Sequence, residues 1–212
     1  MDDAAPRPFA VLDQNAAGRA GCPLVVDLDG SLVSTDTLLE CILALTWRPA
    51  GLFRGLWALR HGRARLKEVL AAAADLDPAL LPYNRELLAY LRDERARGRF
   101  LVLATGADRR TAAAVAAHLG CFDLVLASDG CTNLSAHAKL AAIRASLGDQ
   151  PFSYIGNSRK DLAVWREAAS GICVNARPWV ARAAARVTVI ERSFVGRGWP
   201  SVLWQALLHR RP

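Results

Sequence analysis

The amino-acid sequence predicts an α/β fold in which a parallel β-sheet carries helices on both faces. Between about residues 85 and 190, short apolar segments alternate with helical segments, the order expected of parallel strands joined by helices. Apart from Asp27, the run from Leu24 to Leu28 is apolar on both faces, which indicates a strand buried inside such a sheet. The 212 residues suffice for one domain with a sizeable core and a small insertion.

Residues 36–81 lack strand signals and are predicted to form a helical insertion. Asp36 can cap its first helix, and Asp77-Pro78 breaks its last helical piece. The predicted division of the chain is a flexible N-terminal segment at 1–21, an α/β core at 22–35 and 82–192, a helical cap insertion at 36–81, and a basic, tryptophan-containing tail at 193–212.

After the insertion the core elements follow in alternation, as in a Rossmann-like sheet. The predicted helices run from Arg85 to Arg97, Arg109 to His118, Ala138 to Leu147, Lys160 to Ala169 and Trp179 to Arg186. The predicted strands run from Phe100 to Ala104, Leu124 to Ala127, Phe152 to Ile155, Ile172 to Val174 and Val187 to Ile190.

The composition narrows the function classes. Five scattered cysteines without paired metal-ligand spacing favour a reducing, cytoplasmic location and argue against structural zinc. No apolar window is long enough to span a membrane, and the first residues lack the pattern of a signal peptide. The net charge of +7 suits nucleic acid, anionic lipid or phosphorylated substrates, but no nucleic-acid motif favours the first of these.

Asp27 and Asp29 stand two positions apart at the end of the first strand, so their side chains point the same way. Such a pair is costly unless a cation lies between the carboxylates or one of them holds a proton. The alternative is an ordinary Asp-Gly turn at Asp29-Gly30, preceded by an unrelated Asp.

Further polar residues follow later strands or begin the helices after them. They are Thr105, Gly106, Lys139, Asn157 and Asp161. Because the carboxyl ends of parallel strands meet in one crevice, we expect these residues near the Asp27 pair. Carboxylates with a hydroxyl, an amide and one ammonium suit phosphoryl transfer through an aspartyl-phosphate, with Mg²⁺ held by oxygen ligands.

In this order and spacing the residues resemble the haloacid dehalogenase superfamily of phosphatases. The four motifs are Asp27-Leu28-Asp29-Gly30-Ser31, then Thr105, then Lys139, then Gly156-Asn157-Ser158-Arg159-Lys160-Asp161. The family's fourth motif has an Asp where this chain has Asn157. The insertion matches the family's small cap of the phosphoserine-phosphatase kind, and the resemblance covers about residues 23–190.

The resemblance implies a magnesium-dependent hydrolase that acts on a phosphorylated small molecule. Asp27 would be the nucleophile and Asp29 the general acid and base. Thr105, Gly106 and Lys139 would hold the phosphoryl group. The implied magnesium ligands are Asp27, the carbonyl of Asp29, Asn157 and, through water, Asp161. An amide at position 157 brings no negative charge, so the affinity for the metal should fall.

Within the superfamily the chain is similar to the domain fused ahead of UbiA-type membrane prenyltransferases. The segments that carry this similarity are Leu81-Pro82-Tyr83-Asn84, Leu103-Ala104-Thr105, Leu126-Ala127-Ser128-Asp129-Gly130 and Tyr154-Ile155-Gly156-Asn157-Ser158. It makes a phosphorylated sugar or an isoprenoid-linked phosphate a candidate substrate. It also implies an alternative: a catalytically weak or inactive module that associates with a membrane prenyltransferase.

The insertion carries a basic segment with two possible roles. The segment from Cys41 to Lys67 contains six cationic residues and no acidic residue, and aromatic residues lie between the cations. These cations either form an ordinary solvated face of the cap or line a lid or membrane-surface patch. The second role would place a cytoplasmic protein at the inner face of the membrane.

Overall fold

Six strands form one parallel sheet in the structure, a computed structural model that describes residues 22–46 and 49–195. The strands are β1 (Leu24–Val26), β2 (Leu101–Asp108), β3 (Leu124–Ser128), β4 (Ser153–Gly156), β5 (Ser170–Val174) and β6 (Ile190–Phe194). Their order is β3-β2-β1-β4-β5-β6, and every neighbouring pair is parallel. The predicted parallel sheet is confirmed, while the predicted N-terminal segment and tail residues 196–212 lie outside the described residues.

Helices cover both faces of this sheet. They are α1 (Thr37–Ala44), α2 (Pro49–Ala58), α3 (Arg63–Ala74), α4 (Arg85–Ala96), α5 (Arg109–Leu119), α6 (His137–Leu147), α7 (Leu162–Trp165) and α8 (Pro178–Ala185). Leu91 of α4 and Val115 of α5 belong to the core cluster on one face. Ile143 of α6, Trp165 of α7 and Val180 of α8 belong to the cluster on the other. The predicted helices on both faces are thus confirmed.

Helices α1 to α3 occupy the part of the chain predicted as the cap insertion. They share a small core of their own, in which Cys41 and Leu45 pack against Leu70 and Ala71. Leu76, near the end of the insertion, packs both against this small core and against the sheet cluster that contains Leu91, so it joins the insertion to the α/β core. Between residues 22 and 46 and between 49 and 195, no helix has the length and apolarity needed to cross a membrane.

The prediction of the last strand at Val187 to Ile190 is wrong, since β6 begins at Ile190. The backbone N–H groups of Val187 and Thr188 instead donate to Ala184 O at the end of α8. A run of β-branched residues favours a strand, but here the carbonyl oxygen at the end of α8 accepts the hydrogen bonds from the N–H groups of this run. Strand β6 reaches the buried Phe194, two residues beyond the predicted end of the core at residue 192.

Strand β1 lies at the point where the strand order changes direction. The chain leaves β1 toward β2 and β3 on one side, and later returns to β4, β5 and β6 on the other. Loops that follow β1 and its two neighbours therefore diverge at its carboxyl end. Ligands bind at such a switch point in open α/β sheets, so this end of β1 is the expected site.

Candidate active site

The centre of the site is a buried ion pair between Asp27 and Lys139, which lie 112 positions apart in the chain. Asp27 follows β1, where its backbone N–H donates to Ile155 O at 3.0 Å. Lys139 lies in the first turn of α6, and its Nζ donates to Asp27 Oδ1 at 2.5 Å. Only 6% of Asp27 and 5% of Lys139 is exposed. The fold therefore places an ammonium directly on the carboxylate at the end of the central strand.

Tyr154 links this ion pair to Asp161. Lys139 Nζ donates to the Tyr154 hydroxyl at 3.0 Å, and that hydroxyl donates to Asp161 Oδ1 at 2.6 Å. The direct distance from Lys139 Nζ to Asp161 Oδ1 is 3.6 Å. One ammonium thus serves two carboxylates, and the tyrosine hydroxyl relays its contact with the second.

Asp161 is held by donors on both of its oxygens. Its Oδ2 accepts hydrogen bonds from the backbone N–H of Asn157, the backbone N–H of Ser158 and the Ser158 hydroxyl, at 3.2, 2.9 and 2.8 Å. Its Oδ1 accepts from Tyr154. With both oxygens engaged, Asp161 is suited to orienting the loop after β4 and to a water-mediated metal contact.

The charges of this cluster shift the pKa values of its members in opposite directions. Burial raises the pKa of Asp27 to about 7; Lys139 lowers it, and the charge of Asp161 raises it again. Burial would raise the pKa of Asp161 too, but Lys139 and the hydrogen bonds from Tyr154 and Ser158 lower it overall. Burial would lower the pKa of Lys139, yet the two carboxylates raise it. The two carboxylates thus favour the charged form of Lys139, and a further cation beside Asp27 would lower the pKa of Asp27 and favour its ionised form.

Asp29 lies on the side of the site that faces the insertion. Its Oδ1 accepts a hydrogen bond from the backbone N–H of Thr37, the first residue of α1, at 2.8 Å. Burial, followed by the charge of Asp36, raises the pKa of Asp29. Burial thus favours the protonated form of this carboxyl, and only a protonated carboxyl can donate a proton as a general acid does.

Thr105 and Gly106 belong to the long strand β2 and lie beside the same end of β1. Thr105 is completely buried, and its Oγ1 accepts from the backbone N–H of Ala107 at 3.0 Å. The carbonyl oxygen of Gly106 accepts from the Ser128 hydroxyl at 2.9 Å and from Lys67 Nζ at 2.5 Å. Gly106 lines the crevice, whereas Thr105 is fully buried and does not line it.

Asn157 packs against the turn that follows β1. A Cβ added at Gly30 would overlap the side-chain nitrogen of Asn157, and Gly30 has a φ of +77° that disfavours other residues. Among residues 22–46 and 49–195, no partner forms a hydrogen bond with the Asn157 side-chain amide. Its oxygen therefore remains available to a ligand in the crevice.

The donor set at this position fits a magnesium ion. The oxygens of Asp27 and the unengaged amide oxygen of Asn157 suit Mg²⁺, which is bound by few protein oxygens together with water and phosphate. Within the described ranges no three His, Cys, Asp or Glu side chains form a metal-binding group.

The site opens into a crevice of about 1070 Å³ between the core and the insertion. All the residues predicted for the site line it except Thr105, which is fully buried. The lining residues among them are Asp27, Asp29, Gly106, Lys139, Asn157 and Asp161. The structure thus brings together residues that follow β1, belong to β2, begin α6 and follow β4, as the strand order predicts.

Sequence reasoning missed two residues of the site, Tyr154 and Lys67. The signal for Tyr154 is a hydroxyl inside a buried strand, because a buried phenol needs a hydrogen-bond partner. Lys67 stands three residues after the buried Ala64 and four before the buried Ala71, which is the spacing of one helix face. That spacing separates Lys67 from the exposed cations of the same segment.

Comparison with known proteins identifies the family of this arrangement. A family model described as haloacid dehalogenase-like hydrolase matches residues 24–166. An uncharacterised protein of Sinorhizobium fredii, y4nM, is 39% identical over 162 residues, which cover 76% of this chain and 31% of that protein. The chain therefore spans about a third of the length of this curated relative.

Solved structures share the fold at low sequence identity. A protein of unknown function from Bordetella pertussis Tohama I superposes with a TM-score of 0.59 and 20% identity, over 81% of this chain and 99% of that one. A phospho-aspartyl intermediate analogue of phosphoserine phosphatase superposes with a TM-score of 0.54 and 15% identity, over 88% and 99%. Both likenesses support the α/β fold with its inserted helices.

Because the Tyr154 hydroxyl bonds to two charged groups, we predict that removing it costs more stability than removing the hydroxyl of Tyr83. We expect Tyr154→Phe to lower the free energy of unfolding by about 1.5–3 kcal/mol, the range for hydrogen bonds to charged groups. Tyr83→Phe is the control: its hydroxyl donates to the carbonyl of Pro78 at 2.8 Å and should cost about 1 kcal/mol. Urea unfolding measures both, and equal losses would contradict the relay.

Proposed function

The chain belongs to the haloacid dehalogenase-like hydrolases, and from this membership we propose that it hydrolyses phosphomonoesters through an aspartyl-phosphate on Asp27. The observation that carries the proposal is the contact of 2.5 Å between Asp27 and Lys139 at the carboxyl end of β1. A carboxylate held by an ammonium at a ligand-binding edge can attack phosphorus while the ammonium binds the phosphate oxygens. The phospho-aspartyl analogue of the related phosphoserine phosphatase fold supports the same chemistry.

The proposed reaction has two steps. A carboxylate oxygen of Asp27 attacks phosphorus, the ester P–O bond breaks, and Asp29 gives its proton to the leaving oxygen. Water then attacks phosphorus, Asp29 takes the proton, and the bond between Asp27 and phosphorus breaks to release inorganic phosphate. Lys139 and the loop at Thr105 and Gly106 hold the phosphoryl oxygens in both steps. The raised pKa of Asp29 supports its role as the acid.

Magnesium is the proposed cofactor. When bound, it offsets the negative charge of the carboxylate and the phosphoryl group. Asp27, the carbonyl of Asp29 and Asn157 would hold it, and Asp161 would act through water because donors occupy its oxygens. Residues 36–81 would serve as the cap that closes over a small phosphorylated substrate.

Asp27→Asn tests the nucleophile. We expect no turnover of an aryl phosphate, because an amide cannot form the aspartyl-phosphate. Asp93→Asn, an exposed position on α4, is the matched control and should keep the wild-type rate. Steady-state rates are compared after circular dichroism shows that both variants are folded. Residual turnover near the wild-type rate in Asp27→Asn would reject Asp27 as the nucleophile.

Asn157→Asp tests the metal site. The added carboxylate should lower the magnesium concentration for half-maximal activity about tenfold, since affinity for hard cations follows ligand charge. Ser135→Asp adds a charge elsewhere in the crevice and should leave that concentration unchanged. A magnesium titration with one aryl phosphate measures all three proteins. An unchanged midpoint in Asn157→Asp would exclude this side chain as a ligand.

A second candidate function is a catalytically weak module that acts at a membrane surface, for instance beside a membrane prenyltransferase. The observation that favours it is an exposed apolar patch on the insertion. Phe53, Leu56, Trp57 and Leu59 are exposed by 72%, 64%, 62% and 47%. Exposed arginines surround the patch, and the Arg60 guanidinium lies 5.6 Å from the Trp57 ring. Aromatic and basic side chains together suit an anionic lipid surface.

Vesicle flotation tests this candidate. We expect the whole chain to bind anionic vesicles in a salt-sensitive manner and to ignore neutral ones, since each cation near such a surface contributes about 1 kcal/mol. Replacing Phe53 and Trp57 together with Ser should reduce the binding. Absence of wild-type binding to either vesicle would reject the membrane-surface role and leave the proposed hydrolase unaffected.

A further inference from the structure

Lys67 is a cation of the insertion that reaches across to the core. It lies on α3, and its Nζ donates to Gly106 O at 2.5 Å and to Asn133 Oδ1 at 3.0 Å. Both acceptors are uncharged and belong to the α/β core: Gly106 lies in β2 and Asn133 in the connection between β3 and α6. An ammonium has three N–H donors, so one remains for a ligand in the crevice that Lys67 lines.

The charge of Lys67 has no partner in direct contact. Among the ion pairs within residues 22–46 and 49–195, none includes this side chain. Burial lowers the pKa of Lys67, and the more distant Asp29 and Asp36 only partly offset that effect. A half-buried cation held by neutral oxygens is a cost to the fold that an anionic ligand would offset.

The two lysines of the crevice serve different sides of it. Lys139 contacts the nucleophile Asp27. Lys67 lines with Asp29 both the large crevice and a small recess beside α1, and its charge acts on Asp29. Because Asp29 is the proposed acid for the leaving oxygen, Lys67 lies on the leaving-group side of the phosphoryl group.

We propose that Lys67 binds a second anionic group of the substrate, carried by the leaving alcohol close to the ester oxygen. The preferred substrates are then phosphomonoesters whose alcohol also bears a carboxylate or a phosphate. This inference rests on the proposed function and adds the substrate class to it. A lysine that only latched the insertion to the core would serve all phosphomonoesters equally, and this difference separates the two roles.

Three compounds with two-carbon alcohols form the test. Phosphoglycolate carries an anion on the leaving group, ethyl phosphate carries none, and phosphoethanolamine carries a cation. We expect wild-type kcat/KM to be at least about tenfold higher for phosphoglycolate than for ethyl phosphate, and lowest for phosphoethanolamine. Lys67→Gln should reduce the ratio of kcat/KM for phosphoglycolate to that for ethyl phosphate to about twofold or less. Lys67→Arg should restore most of that ratio.

Arg65→Gln is the matched control on the same helix. Arg65 is exposed and pairs with Glu68 at 2.5 Å, so its removal should leave the ratio between the substrates unchanged. If Lys67→Gln lowers kcat/KM equally for all three compounds, Lys67 only holds the insertion to the core, and the inference is overturned. A wild-type enzyme without preference for phosphoglycolate would overturn it too.

A binding measurement separates this inference from the proposed function. Calorimetric titration of phosphoglycolate and ethyl phosphate into Asp27→Asn needs no turnover. Tighter binding of phosphoglycolate that disappears when Lys67→Gln is added supports the anion subsite even if the wild type hydrolyses neither compound. Equal affinities for the two compounds would overturn the subsite. Turnover of an aryl phosphate by the wild type would still support the proposed hydrolase activity.

Discussion

One buried ammonium shared by two carboxylates is the interaction on which the rest of the site depends. Lys139 contacts Asp27 directly and Asp161 through the Tyr154 hydroxyl. Charges removed from water are tolerated only when they are paired and hydrogen-bonded, so the surrounding loops must hold each partner in place. The donors on Asp161 fix the loop after β4, and the sheet fixes Asp27. The pairing sets two carboxylates against one ammonium, an imbalance that a further cation in the crevice would offset.

The insertion completes the chemistry that the core begins. The core carries the proposed nucleophile, Asp27, together with Lys139. The insertion contacts two other residues of the proposed mechanism, since the backbone N–H of Thr37 donates to Asp29 and Lys67 donates to Gly106. In that mechanism one small helical unit would influence both protonation and substrate choice. The same unit exposes an apolar, arginine-rich surface away from the crevice, so its two faces have distinct chemistry.

Patterns in the chain predicted the sheet well because each strand is a short apolar run between clear breakers. The predicted strand from Phe100 to Ala104 overlaps β2, which begins at Leu101 and continues to Asp108, and the predicted strand from Leu124 to Ala127 falls within β3. The exception is Val187 to Ile190, whose β-branched residues resemble a strand while Ala184 at the helix end captures their N–H groups. A similar competition shortens the helix predicted from Lys160, where Asp161 accepts hydrogen bonds from Ser158 and the chain forms a tight turn before α7.

The sequence by itself determined the family, the parallel sheet, and the five polar positions and one glycine that line the crevice, because motif order and strand ends are properties of the chain. Only the tertiary structure decided which of these groups touch. Spacing does not reveal that Tyr154 stands between Lys139 and Asp161, or that Lys67 contacts Gly106. The contact of Lys67 with Gly106 spans 39 positions, and that of Lys139 with Asp27 spans 112. They arise from packing between layers, where burial and charge are set jointly by segments that no local pattern relates.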